Sequence, residues 1–173
     1  MIVLALDPST KNTGIAVFKD QELIYHNCIN AGSQNLFRRI DKMIEGIEAV
    51  IKEYKPTYVA IEDPIPDDVH HNQNVYKALM YLQAFIMYSL DKYKITNIKF
   101  FTSSEWRKKC GIKTGRGIRR ESLKPKDIAF VKSQFSIKVN DDEADAIGIG
   151  FAAVGGVIKE PQIIIDDSGF EFA

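Results

Sequence analysis

Apolar residues along this chain change their spacing several times, and each change marks an element. Residues 2–6, Ile-Val-Leu-Ala-Leu, are continuously apolar, which predicts a strand buried on both faces. Pro8, Ser9, Lys11, Asn12 and Gly14 then supply turn chemistry, and Ile15-Ala16-Val17-Phe18 predicts a return strand, so residues 1–18 read as a β-hairpin. A turn at Lys19-Asp20-Gln21 leads into a third strand over 22–30. Across 35–54, Leu36, Ile40, Met43, Ile44, Ile47, Val50 and Ile51 keep helical spacing, interrupted only by Gly46. Pro56 closes that helix, Tyr58-Val59-Ala60-Ile61 predicts a fourth strand, and residues 62–71, with two prolines and four acids, predict a loop.

The helix predicted over 73–93 is apolar on two sides: Val75, Leu79, Leu82 and Ile86 form one face, and Tyr76, Met80, Ala84 and Met87 another. One wide core face explains that pattern, and so does a core on one side with a partner subunit on the other. Ile98-Lys99-Phe100-Phe101 predicts a fifth strand, and Ser103 or Ser104 can cap a short helix running to about Cys110. Residues 125–135 predict a helix, and Asn140 or Asp141 caps a last one over 142–153, ending at Gly155-Gly156. Ile163-Ile164-Ile165 adds a candidate strand in the tail. The order is that of an α/β protein, a five-stranded mixed sheet in which an antiparallel hairpin feeds parallel strands flanked by helices. With no repeat or low-complexity linker, residues 1–156 read as one domain and 157–173 as a C-terminal tail.

Composition narrows the class. A chain of 173 residues with 45% hydrophobic and 27% charged residues can build one core. No apolar run reaches the ~20 residues of a membrane span, and Asp7 interrupts the first run too early for a signal peptide. Cys28 and Cys110 are too few for a disulfide framework and read as reduced thiols of a cytoplasmic protein. Charge is balanced, 23 basic against 23 acidic residues, but it is not evenly spread. Arg107, Lys108, Lys109, Lys113, Arg116, Arg119, Arg120, Lys124 and Lys126 face only Glu121 within one stretch. A basic stretch among glycines suits a phosphate backbone, so Arg107, Lys108, Lys113, Arg116, Arg119 and Arg120 are candidate DNA contacts. Lys11, beside the hairpin turn, either touches the scissile phosphate or is a turn lysine. Trp106 reads as a core aromatic. His70 and His71 are adjacent and cannot share one face; a lone proton-donor role is the most either could have. No Gly-rich phosphate loop of either common kind is present.

The acids carry the chemistry. Asp7 ends the first strand and Glu62 the fourth, and in an open α/β sheet those carboxyl ends face one crevice. Asp142 and Asp145 are three apart at the start of the last helix and share a face. Asp7 alone could be a turn residue, Glu62 a solvated acid and Asp142 a partner of the helix dipole. Asp145 lies among Ala144, Ala146, Ile147 and Ile149, where an unpaired carboxylate is costly. Four acids brought together need a cation, and hard oxygen donors select Mg²⁺ or Mn²⁺. Two such ions suit in-line phosphodiester hydrolysis.

These segments carry a family resemblance. Leu4-Ala5-Leu6-Asp7-Pro8-Ser9-Thr10-Lys11-Asn12-Thr13-Gly14-Ile15-Ala16 resembles the first motif of RuvC-type Holliday-junction resolvases, Val59-Ala60-Ile61-Glu62 the second, and Asp142-Glu143-Ala144-Asp145-Ala146 the closing pair. The element order is similar to the RNase H-like fold, over residues 1 to about 152. Ser104-Glu105-Trp106-Arg107 and Lys113-Thr114-Gly115-Arg116-Gly117 are most similar to RuvC-like nucleases of phages and prophages of Gram-positive bacteria. The resemblance implies a homodimer joined through the helix at 73–93, with two Mg²⁺ (Mn²⁺ substituting) held by Asp7, Glu62, Asp142 and Asp145 in each subunit. It implies paired nicks in branched DNA, above all four-way junctions, in a bacterial or phage-infected cell. Glu143 could exchange roles with Asp142. Where the bacterial resolvases carry an aromatic beyond Glu62, the loop from Asp63 to His71 holds none, which points to a broader range of branched substrates. The first hairpin also resembles the phosphate motif of actin-like ATPases and sugar kinases, whose chains are about twice as long. A YqgF-like RNA-processing nuclease and a non-catalytic branched-DNA binding module are the remaining alternatives.

Overall fold

The computed structural model of the chain describes residues 1–32, 34–64, 73–115, 118 and 120–156. Five strands, β1 (Ile2–Asp7), β2 (Asn12–Lys19), β3 (Glu22–Asn30), β4 (Tyr58–Glu62) and β5 (Ile98–Phe101), form one sheet in the order β3-β2-β1-β4-β5. β1, β2 and β3 are antiparallel neighbours, while β4 pairs parallel to β1 and β5 parallel to β4. The helices are α1 (Leu36–Tyr54), α2 (Gln73–Lys92), α3 (Ser103–Lys109), α4 (Arg120–Phe135) and α5 (Asp141–Val154). This is the expected mixed α/β architecture, and none of the described helices is long and apolar enough to cross a membrane.

The continuous apolar run of β1 has a direct cause: both faces of the strand are covered. Successive side chains alternate, so Leu4 and Leu6 pack with Ile40, Met43 and Ile47 of α1 and with Leu82 and Ile86 of α2. Val3 and Ala5 face the opposite layer, with Trp106 of α3, Phe130 of α4 and Ala144, Ile147 and Phe151 of α5. Small residues on that second face, Ala5, Ala16 and Ala60, let α5 lie close to the sheet. Two glycines show how tightly α5 is packed on the sheet and on α3. A Cβ on Gly14 would stand 2.0 Å from the carbonyl oxygen of Asp142, and one on Gly148 would stand 2.4 Å from the Trp106 ring. Gly148→Val is therefore expected to cost about 3 kcal/mol by forcing α5 and α3 apart, read as a lower urea midpoint with an unchanged slope.

Several boundaries differ from the sequence expectation, each for a local reason. β2 begins at Asn12 rather than Ile15, because Asn12, Thr13 and Gly14 pair with Asn30, Ile29 and Cys28 of β3 despite their turn character. α3 is capped by Thr102, not by either serine: Thr102 Oγ1 accepts from Glu105 N while Glu105 reaches back to Thr102 N, a capping box. α4 starts at Arg120, five residues before Pro125, so the proline lies inside the helix and forgoes one backbone bond. The buried Leu123 ties that extra turn to the core. Of the two expected caps of α5, Asn140 is the one used, again in a capping box, with Glu143. On α2, Leu82, Ile86 and Leu90 are buried, while Val75, Tyr76, Met80, Tyr81, Phe85, Met87 and Tyr88 are exposed. The candidate strand at 163–165, the histidines at 70 and 71 and the tail lie outside the described residues.

Candidate active site

β1 and β4 run parallel side by side, so their carboxyl ends open at the same rim of the sheet. Asp7 closes β1 and Glu62 closes β4, and both line a cleft of about 180 Å³ with Pro8, Asp63, Leu79, Gln83 and Ser103. α5 brings Asp145 to this rim at 7% exposure. Burial pushes the Asp145 carboxyl up to about 9, the charges of Asp7, Asp127 and Glu62 push the same way, and Arg107 opposes them. Asp7, Glu62 and Asp145, drawn from three elements, thus lie within one another's electrostatic field.

Each acid is held by neighbours. Glu62 accepts from the Ser103 hydroxyl at one oxygen and from Trp106 Nε1 at 2.8 Å at the other, so α3 orients the whole carboxylate. Asp145 receives Arg107 Nη2 at 3.3 and 3.4 Å. Asp142 sits above Gly14, the β2 partner of Asp7, and its Oδ2 lies 3.7 Å from the Cys28 thiol. Burial and the charge of Asp142 push that thiol up to about 11, so it stays protonated and able to donate at neutral pH. Glu143 is committed elsewhere: Oε1 meets His26 Nδ1 at 2.8 Å and Oε2 accepts from Asn140 N at 3.1 Å. Both its oxygens serve the cap and the β3 contact.

The donor chemistry suits a hard divalent cation. Asp7, Glu62, Asp142 and Asp145 offer only oxygens, and mutual repulsion at the rim calls for positive charge. Gln83 of α2 adds to this, because its buried Oε1 lines the same cleft with no hydrogen-bond partner among the described residues. Among the described residues no three of these side chains already stand close enough to enclose an ion; Glu62 and Asp145 are each turned to a protein donor instead. Stability should report the crowding. The Asp145 proton is lost near 3.8 in the unfolded chain but held to about 9 in the folded one, so stability present at low pH is lost as pH rises through that window. In chelator, wild type is expected to weaken between about pH 4 and 9 more steeply than Asp145→Asn, which has no such proton; chemical denaturation across that range checks this.

Comparison with known proteins places the chain. The family model for crossover junction endodeoxyribonuclease RuvC matches residues 3–152. This chain belongs to the RuvC family. The RuvC of Rickettsia conorii is 26% identical over 89% of this chain and 97% of its own length. That of Francisella philomiragia is 35% identical over 36% of this chain, an alignment spanning 39% of the relative. Among solved structures, Thermus thermophilus RuvC in complex with a Holliday junction substrate superposes with a TM-score of 0.69 at 11% identity, covering 90% of this chain and 94% of that one. The yeast mitochondrial Holliday junction resolvase Ydc2 gives 0.55 at 14% identity, covering 88% and 77%. At such identities these structures share the fold, which agrees with the expected RNase H-like architecture.

The basic stretch of this RuvC-family chain divides. Lys108 and Lys113 are exposed and line an open groove of about 500 Å³ with Ser104, Glu105 and Thr114. Lys11 is exposed beside the β1–β2 turn. Arg116 and Arg119 lie outside the described residues, and Arg120 is described only as the first residue of α4. Arg107 corrects its expectation. It is 4% exposed and bound to Asp127 and Asp145, so it is a buried member of the acid site rather than a surface contact for DNA. Trp106 is the expected core aromatic, fully buried, yet its indole N–H also serves Glu62. Asp127, Ser103 and Gln83 were not foreseen; each reaches the site from a segment with no acidic motif of its own.

Proposed function

We propose that this chain is a metal-dependent, structure-selective endodeoxyribonuclease that cuts branched DNA, four-way junctions above all, by paired nicks. The observation that carries this reading is the meeting of Asp7, Glu62 and Asp145 at one rim of a RuvC-family sheet, with Asp142 three residues before Asp145 in the first turn of α5. In this reading Asp7, on the central strand, would help hold two Mg²⁺ ions, for which Mn²⁺ would substitute. Glu62 and Asp145 would hold the ions with it, and Asp142 would assist. When bound, the cations lower the barrier to attack by water on phosphorus and stabilise the departing oxygen. The protein's own part is to fix the carboxylates. Ser103 and Trp106 hold Glu62 at the cleft, and the burial of Asp145 keeps bulk water from one side of it.

Lys108 and Lys113, with Lys11 at the rim and Arg116, Arg119 and Arg120 further along, would carry the DNA backbone. Neutralising six to ten phosphates would make affinity fall roughly 10³–10⁵-fold between 50 and 200 mM salt. Two copies would pair through the exposed apolar face of α2, setting two active sites on one junction. The enzyme would act in the cytoplasm of a bacterial or phage-infected cell. A direct comparison of labelled four-way junctions, forks, linear duplex and RNA hairpins in Mg²⁺ tests the substrate class. Cutting of branched DNA in preference to duplex and RNA supports the reading. Preference for RNA would favour the YqgF-like alternative, and tight junction binding without cutting in either metal would favour a binding module.

A further inference from the structure

Arg107 is the only cationic side chain buried among the described residues, and it is buried at the acid site. Its guanidinium is clamped on one edge: Nε lies 3.1 Å from both oxygens of Asp127, and Nη2 lies 2.9 Å from Oδ2. Asp127 is fully enclosed, with 0% of its side chain exposed. The plane of the guanidinium lies over the Trp106 ring, 4.2 Å from the centroid, and Nη1 reaches the Ser103 carbonyl at 3.5 Å. Asp127, Trp106 and Ser103 thus fix the group on three sides. The fourth side offers Nη2 to both oxygens of Asp145, at 3.3 and 3.4 Å, longer than any of its contacts to Asp127. The guanidinium thus stands closer to Asp127 than to Asp145 while facing both.

Asp127 already balances Arg107, so the pair could stand alone; its positive end is nonetheless turned to the rim where Asp7, Glu62 and Asp145 are crowded together. We propose that Arg107 is a resident counter-cation of the acid site, a positioning residue that holds Asp145 while no divalent ion is bound and releases its oxygens when one arrives. The proposal rests on the reading of the four acids as a cation site. It gives Asp127 a part as well, since Asp127 keeps the guanidinium from following Asp145 or swinging into the cleft. In this view the protein tolerates a cluster of carboxylates during folding because a substitute charge is built in.

The test needs no DNA. Mn²⁺ is titrated calorimetrically into wild type, Arg107→Gln and Arg107→Lys, and each is melted with and without saturating Mn²⁺. Loss of a fixed positive charge beside the ligands should tighten Mn²⁺ binding by roughly tenfold in Arg107→Gln. The metal-free variant should melt lower than wild type, and the gap between its metal-free and metal-saturated melting temperatures should widen, because a ligand that binds only the folded state stabilises in proportion to its affinity. Arg107→Lys, which keeps the charge, should stay within about twofold of wild type. If Arg107→Gln does not fold, owing to the buried Asp127 left unpaired, the double variant Arg107→Gln/Asp127→Asn removes that orphan and carries the same measurement. A variant that melts lower by the same amount with and without Mn²⁺, at unchanged or weaker affinity, would reduce Arg107 to a structural pair and overturn the proposal. Absence of Mn²⁺ binding by wild type would overturn it together with the reading on which it rests.

Discussion

Asp7→Asn is expected to lower cleavage of a four-way junction by about 10³-fold or more while leaving junction binding within a few-fold of wild type. Asp7 stands at the end of the central strand, in the cleft it shares with Glu62 and within the field of Asp145. A carboxamide keeps the shape but not the charge, and the charge is what would hold cations against a phosphodiester. Several kcal/mol of transition-state stabilisation depend on that positive charge, and each 1.36 kcal/mol is a factor of ten. The fold should survive, because the side chain lies at the rim and the strand is held by Val3 to Leu6. Binding and cutting measured on the same labelled junction separate the two effects. Equal loss of both would mean that Asp7 supports the protein rather than the reaction.

The second large effect concerns assembly. Tyr81→Glu with Phe85→Glu is expected to weaken the proposed dimer by roughly 100-fold or more, converting paired nicks into single, uncoordinated ones. Tyr81 is 49% exposed, Phe85 44% and Tyr88 70%, and beside them Phe37 of α1 is 66% exposed. A groove of about 670 Å³ runs between Phe37 and Phe85, bordered by Leu36, Ile40 and Ile44. Contiguous aromatic surface of this kind on one side of a helix whose other side is core is uncommon in a monomer. Buried carboxylates at the centre of such a contact would be unpaired, which is the mechanism of the loss. Sedimentation of wild type and variant, with nick pairing on a junction, reads the outcome. An unchanged sedimentation coefficient would move the partner surface away from α2.

The fold was largely legible because its signals are local. The continuous run in β1 reports burial on both faces, and the two-sided apolar pattern of residues 73–93 survives as a face buried at Leu82 and Ile86 and an exposed one, except that Val75, expected with the first, is exposed. Turn chemistry was less reliable: Asn12, Thr13 and Gly14 look like a loop but pair as strand, because pairing with β3, and at Gly14 also with β1, outweighs their local preference. The same holds for Pro125, whose lost backbone bond is outweighed by the packing of Leu123 and Phe130.

The acids of the site were legible from their places at strand ends and at one helix start. Their support was not. Arg107 looks like one more surface cation in a run of nine, and only the fold reveals Asp127 twenty positions away in chain order beneath it. Trp106 and Ser103 serve Glu62 across a separation of more than forty residues, and no spacing rule links such pairs. Glu143 could exchange roles with Asp142 on sequence alone, and only the fold shows that its oxygens meet His26 and Asn140.

The most direct test of the account is a time course on a four-way junction labelled on all strands in turn, with linear duplex of the same sequence beside it, in Mg²⁺. Nicks are expected in two opposed strands near the branch, formed together, absent from the duplex and absent with Asp145→Asn. Cutting of duplex as readily as junction, or cutting that persists in Asp145→Asn, would contradict it.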